Sequence, residues 1–207
     1  MNIKTAPLGE LGTNFYIVTD EASKKAFAVD PGAEGELAAS LIKDTGCSLE
    51  YIIITHAHAD HIGALDFLKR QYTDAKIVIH SADSASLNDD NSNLCSSFYM
   101  PSPSSKADIA VNDNDILMLG KNELKFIHTP GHTKGSMCVL TDDFLISGDT
   151  LFQGSIGRCD FPGGDYGAII NSIKTKLLTL DDDLIAYPGH GNPTTIKYER
   201  ENNPFLI

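Results

Sequence analysis

"ITHAHADHIG", residues 54–63, sets three histidines and an aspartate within six positions of a chain that holds only seven histidines. It follows Tyr51 to Ile54, a short continuous apolar run suited to a strand buried on both faces. A solvent-facing turn has no use for imidazole at 56, 58 and 61 with a carboxylate at 60. An apolar core does not tolerate the group unpaired. Metal ligation accounts for it, and the missing ligands must come from elsewhere in the chain.

Three further strand ends supply candidates. His132 follows a strand in "HTPGHTKGS" (128–136), where Pro130 and Gly131 force a turn. Asp149 lies in "ISGDT" (146–150) and His190 in "YPGHG" (187–191). Each sits just beyond an apolar run, in a glycine turn where backbone can approach a site closely. Four such strand ends can converge on one edge of a sandwich. His56, His58, Asp60, His61, His132, Asp149 and His190 are more ligands than one tetrahedral zinc can use, so the inventory points to two metals. Imidazole with carboxylate suits Zn, Fe or Mn. A carboxylate shared between two ions would hold them about 3.5–4 Å apart. His80 and His128 lack a partner motif and read as non-ligands.

The surrounding pattern alternates strands with helices. Phe15 to Thr19 and Lys25 to Val29 form a hairpin pattern. Glu34 to Lys43 carries Leu37, Ala38, Leu41 and Ile42 at helical spacing, with Gly46 placed to stop the helix. Ile62 to Gln71 reads as a helix and Ile77 to Ile79 as a strand. Four more strands follow at 116–119, 124–127, 137–140 and 144–146. An amphipathic helix over 169–178 and a last strand over 184–187 close the series. This order predicts two packed sheets with helices outside: a four-layer α/β sandwich with mixed sheets, one domain over residues 1–207.

Composition removes other classes. Lys plus Arg number 16 against 28 Asp plus Glu, a net charge of −12. That balance opposes nucleic-acid binding, which depends on basic surface. No stretch approaches the roughly 18 apolar residues of a membrane span, and no signal peptide is visible. Cys47, Cys95, Cys138 and Cys159 lie far apart, without a C-x-x-C pair. They read as reduced thiols, and the expected location is cytoplasmic.

THAHADH (55–61), PGHT (130–133), GDT (148–150) and GHG (189–191) together resemble the motif series of the metallo-β-lactamase superfamily. The resemblance implies an αββα sandwich with its site at the sheet edge. It also implies that His56, His58 and His132 hold a first metal, and Asp60, His61 and His190 a second, with Asp149 between them. "SGDTLFQGSIGRCDFPGGD" (147–165) and "GHGNPTTIKYERENNPF" (189–205) are similar to the compact glyoxalase II-like hydrolases. The helical domain that follows in full-length glyoxalase II is not present in this sequence. The similarity therefore implies thioester cleavage without naming the thiol. Metal coordination lowers the pKa of water from about 15.7 to around 7, so hydroxide is available at neutral pH. Two divalent ions, zinc first and iron or manganese next, are the expected cofactors. A small-molecule thioester is the expected partner. Asp60 is the candidate catalytic residue, orienting the nucleophile or carrying its proton.

Rival readings use the same motifs. A persulfide dioxygenase would hold one iron on His56, His132 and Asp149. A nuclease would need a basic surface that a charge of −12 does not offer, and a non-catalytic metal-binding protein would need no complete ligand series. Two segments lie outside the motifs. Asn88 to Lys106 is rich in Asn, Ser and Pro, and reads either as a surface insertion or as an active-site lid led by Phe98 and Tyr99. Arg158 reads as the partner of Asp160 or Asp165 ahead of an anchor for a substrate anion.

Overall fold

In the computed structural model, which describes residues 1–207, the chain begins with β1 (Asn2–Leu8), β2 (Thr13–Asp20) and β3 (Lys25–Val29). Helix α1 (Gly35–Lys43), β4 (Ser48–Ile54), α2 (Ala59–Ile62), α3 (Leu65–Gln71), β5 (Lys76–His80) and β6 (Ile109–Val111) complete the first half. Next come β7 (Ile116–Leu119), β8 (Asn122–His128), β9 (Met137–Leu140), β10 (Phe144–Gly148) and the short β11 (Leu151–Phe152) and β12 (Ser155–Ile156). Helix α4 (Tyr166–Ser172), β13 (Ile185–Pro188), β14 (Thr194–Thr195) and α5 (Ile196–Asn202) end the chain. One six-stranded sheet has the order β1-β2-β3-β4-β5-β6 and the other β14-β13-β10-β9-β8-β7.

Three apolar layers separate these four. In β4, Ile52 and Ile54 pack toward α1, α2 and α3, while Ile53 faces the other sheet. Ala26 and Ala28 of β3 divide from Phe27 and Val29 in the same way. In the second sheet, Phe144 and Ile146 face the first sheet and Leu145 faces α4 and α5. Successive strand residues point to opposite faces. A continuous apolar strand is therefore what a sheet covered on both sides requires.

Strand direction places the site. β3, β4 and β5 are mutually parallel, so their C-terminal ends share one edge. β8 and β10 are each antiparallel to β9, and β13 runs parallel to β10. The ends of β8, β10 and β13 thus share an edge of the second sheet. Backbone bonds from Met137 to Thr55 (3.0 Å) and from Asn14 to Gly189 (2.7 Å) bring the two edges together.

The differences from the sequence reading have physical causes. The helix expected over 62–71 starts only at Leu65, as α3, and is preceded by the unexpected short α2, because the chain turns against the Pro31–Gly32 segment. Ala64 N donates to Pro31 O (2.8 Å), and a Cβ on Gly63 would lie 2.3 Å from the Gly32 oxygen. The last large helix starts at Tyr166, earlier than expected, with the Asp165 side chain capping Ala168 N. It continues as a π-helical stretch over Ile173–Leu177. β1 has no apolar run to announce it, since it is largely exposed and takes its register from β2. No helix is long and apolar enough to cross a membrane.

Candidate metal centre

All seven sequence-derived residues meet at this common edge, in three overlapping sets: His56, His58 and His132; His56, His61 and Asp149; and Asp60, His61 and His190. His56 leaves β4 by two residues. His58 opens α2, whose first turn carries Asp60 and His61. The turns after β8, β10 and β13 deliver His132, Asp149 and His190.

Outward hydrogen bonds decide which ring nitrogens face inward. Asp30, buried in a left-handed conformation (φ 53°) just after β3, accepts from Thr55 N (2.8 Å), the Thr55 hydroxyl (2.7 Å) and His61 Nδ1 (2.9 Å). The Thr55 hydroxyl, having donated to that carboxylate, accepts from His56 Nδ1 at 3.1 Å. His132 Nδ1 donates to Arg158 O (2.7 Å) and His190 Nδ1 to Leu11 O (3.2 Å). Each of these imidazoles carries its proton on Nδ1 and offers the Nε2 lone pair to the centre, as second-layer partners commonly arrange.

The inner atoms crowd accordingly. His132 Nε2 lies 3.1 Å from His56 Nε2 and 2.9 Å from His58 Nδ1. Both Nε2 atoms of the first pair present lone pairs, so that contact is no hydrogen bond and calls for a cation between them. Tetrahedral zinc with ligands at about 2.0–2.1 Å would space nitrogens at roughly 3.3 Å. His190 Nε2 is 3.1 Å and His61 Nε2 3.5 Å from Asp60 Oδ2. Asp149 lies between the sets, with Oδ1 3.5 Å from His61 Nε2 and Oδ2 3.6 Å from both His132 Nε2 and His190 Nε2. His61 Nε2 and Asp149 Oδ1, 3.5 Å apart at the centre, are buried without any hydrogen-bond partner. Orphaned atoms converging in this way fit divalent ions.

Electrostatics agree. Burial, then the other imidazoles, pushes His56 well below its ordinary value and His58 to about 3, leaving both neutral as ligands must be. Burial works against ionised Asp60 and Asp149, yet the histidines around them hold both carboxyls below the usual range. His61 and His190 are disfavoured as cations by burial, but their aspartate neighbours raise them.

Above this centre opens a cleft of about 560 Å³, walled on its apolar side by Leu11, Leu94, Phe98, Phe152, Ile156 and Phe161. Phe98 reaches the cleft, whereas Tyr99 is 97% exposed and does not line it. The 88–106 segment is anchored in the interior. Asn93 and Cys95 are fully buried, and Asn93 O accepts from Ala59 N (2.8 Å) at the start of the ligand-bearing α2. Arg158 forms the ion pair expected with Asp160 (2.7 and 2.6 Å) and lies over the Phe161 ring at 3.8 Å. His80 and His128 stack on each other, centroids 3.8 Å apart, outside the ligand sets. The four cysteines are free, and none joins a ligand set.

Sequence reasoning missed two carboxylates. Asp30 followed the rule used for Asp149, a strand-end carboxylate in a Pro-Gly turn ("VDPG", 29–32). Asp83 carried no such signal. Its side chain, buried and raised above the ordinary carboxyl range by that burial, accepts from Thr133 Oγ1 (2.7 Å), Gly135 N (2.7 Å) and Ala57 N (3.4 Å). It ties the 56–58 turn to the turn bearing His132.

With this geometry in hand, comparison with known proteins gives the class. The family model of the metallo-β-lactamase superfamily matches residues 8–190. The chain belongs to that superfamily. It is 37% identical over 210 residues to hydroxyacylglutathione hydrolase GloC of Haemophilus influenzae, covering 100% of this chain and 98% of that protein. Its fold matches the crystal structure of the BLEG-1 B3 metallo-β-lactamase with a TM-score of 0.94 at 35% identity, covering 100% of both chains. It matches TTHA1623 in a di-iron-bound form with a TM-score of 0.85 at 32% identity, over 98% of this chain and 100% of that one.

Proposed function

We propose that this protein is a binuclear metal-dependent thioester hydrolase of glyoxalase II type. The observation that carries the reading is Asp149, whose carboxylate reaches both ligand sets, His132 of one and His61 and His190 of the other, beneath an apolar-walled cleft. The full-length match to GloC supports thioesters as the substrate class. His56, His58 and His132 would hold one ion, Asp60, His61 and His190 the other, and Asp149 both. When bound, the ions would supply an acidified water and polarise the scissile carbonyl.

The chain's own groups do the rest. Asp60 Oδ2 accepts from the Thr13 hydroxyl (3.1 Å) and lies 3.1 Å from His190 Nε2. Its depressed pKa keeps it ionised at neutral pH, so it can orient a water and accept a proton but not donate one. A thiolate departs without needing a donated proton, in keeping with that limit. Leu94, Phe98 and Phe161 line the cleft and give a bound acyl group an apolar wall beside the reacting atoms.

Complete ligand sets also weigh against the mono-iron dioxygenase reading, which leaves His58, Asp60, His61 and His190 unused. The deciding measurement pairs metal analysis with turnover of a thioester panel, a β-lactam and glutathione persulfide under oxygen monitoring. The expected result is two ions per chain, one free thiol per acid released, and no oxygen consumed. Oxygen uptake by the iron-loaded protein without thioester turnover under any metal overturns the proposal, as does hydrolysis of the β-lactam alone.

A steric prediction follows from Gly189. A Cβ there would lie 2.1 Å from Asp149 Oδ1 and 2.9 Å from His61 Cε1. Gly189→Ala should therefore displace the shared carboxylate and lose at least one ion per chain, read by elemental analysis, while circular dichroism shows a folded protein. Unchanged metal content would show that the centre tolerates the methyl.

A further inference from the structure

Beside the catalytic cleft lies a second hollow of about 470 Å³, lined by Leu8, Leu11, Ala33, Phe98 and Met100 on its apolar side. The two share Leu11, Asp60 and Phe98, so they adjoin beside the metal centre. Leu11 and Phe98 stand 52% and 41% exposed at this junction. Large apolar side chains left in water at a functional cleft mark a surface awaiting a ligand.

The walls differ in charge. The catalytic cleft carries Arg158 and Ser155, neither of which lines the hollow. The hollow carries no cation, and its only polar side chains are the carboxylates of Glu10 and Asp60. An anionic thiol carrier is repelled there, and the non-acidic polar side chains left to it, Ser155 and the Asp160-paired Arg158, line the catalytic cleft. We infer that the second hollow is an acyl chamber, holding a linear aliphatic acyl group while the thiol carrier lies along the Arg158 wall. The inference rests on the thioester reading and adds the substrate class to it: neutral, medium-length acyl chains.

A series of N-acetylcysteamine thioesters from acetyl to octanoyl tests it, because that carrier is small and uncharged. Burial contributes about 0.8 kcal/mol per methylene, so kcat/KM should rise about fourfold for each added methylene until the chamber is full. Met100→Trp and Ala33→Leu, which narrow the chamber from opposite walls, should each lower the octanoyl-to-acetyl ratio of kcat/KM at least tenfold. Uncleavable S-alkyl thioethers of the same carrier, titrated by calorimetry, give a readout independent of turnover. Thioesters hydrolysed with no rise along the series, or with a ratio unchanged in both variants, overturn the chamber and leave the thioesterase reading standing. Chain-length-dependent thioether binding without thioester turnover keeps the chamber and removes the thioesterase reading.

Discussion

Asp149→Ala is expected to yield a folded protein that has lost both metal ions or nearly both. Asp149 is the one side chain whose oxygens reach both sets, Oδ1 toward His61 and Oδ2 toward His132 and His190, at 3.5–3.6 Å. Removing it takes a charged ligand from each ion at once and leaves five imidazoles crowded around a single remaining acid, Asp60. Metal ions supply several kcal/mol of charge stabilisation in such reactions, so kcat/KM should fall about 10³-fold or more. His190→Ala gives the contrast. His190 belongs to the Asp60 set and lies outside the His56, His58, His132 set, so its loss should weaken one ion selectively. Elemental analysis after dialysis separates the two. Two tightly held ions in Asp149→Ala would remove the shared role of that carboxylate. Unchanged metal and activity in His190→Ala would remove the second ion altogether.

The sequence made this centre readable because each ligand announces itself locally. An H-x-H-x-D-H cluster just past an apolar strand has few other uses, and the three candidate ligands set beside glycines at later strand ends, His132, Asp149 and His190, reinforce it. The layers were readable for a similar reason: "YIII" needs apolar cover on both faces, and Ile52 and Ile53 divide between two cores as that pattern demands. Elements whose structure is decided by a distant partner stayed hidden. β1 follows from pairing with β2, and the break between α2 and α3 follows from the Pro31–Gly32 turn packing against them. The 88–106 segment looked detachable because its composition is polar, whereas Asn93 and Cys95 anchor it in the interior. Asp83 acts between two turns far apart in the chain, and no local pattern betrays that.

Asp30 offers the sharper test of how the centre is prepared, because it touches no ion yet fixes proton positions on one ligand of each set. Its carboxylate accepts from His61 Nδ1 directly and from the Thr55 hydroxyl, which in turn accepts from His56 Nδ1. Only an acceptor can sit at that place if both histidines are to present bare Nε2 atoms to the metals. Asp30→Asn keeps the volume, tolerates the left-handed backbone and retains an oxygen for Thr55 N. Its amide N–H groups then face Thr55 Oγ1 and His61 Nδ1, which drives the protons of His61 and His56 onto their inner nitrogens. The expected outcome is a metal-free protein melting close to the parent, with both ions bound about 10- to 100-fold more weakly. Asp30→Ala differs in kind, since it strands buried donors at a cost of about 1–3 kcal/mol each and should lower the melting temperature as well. Chelator competition and thermal melts of both variants read these effects separately. Parental metal affinity in Asp30→Asn would mean that the ligand tautomers are set by the ions alone, with the Asp30–Thr55 relay serving only the fold.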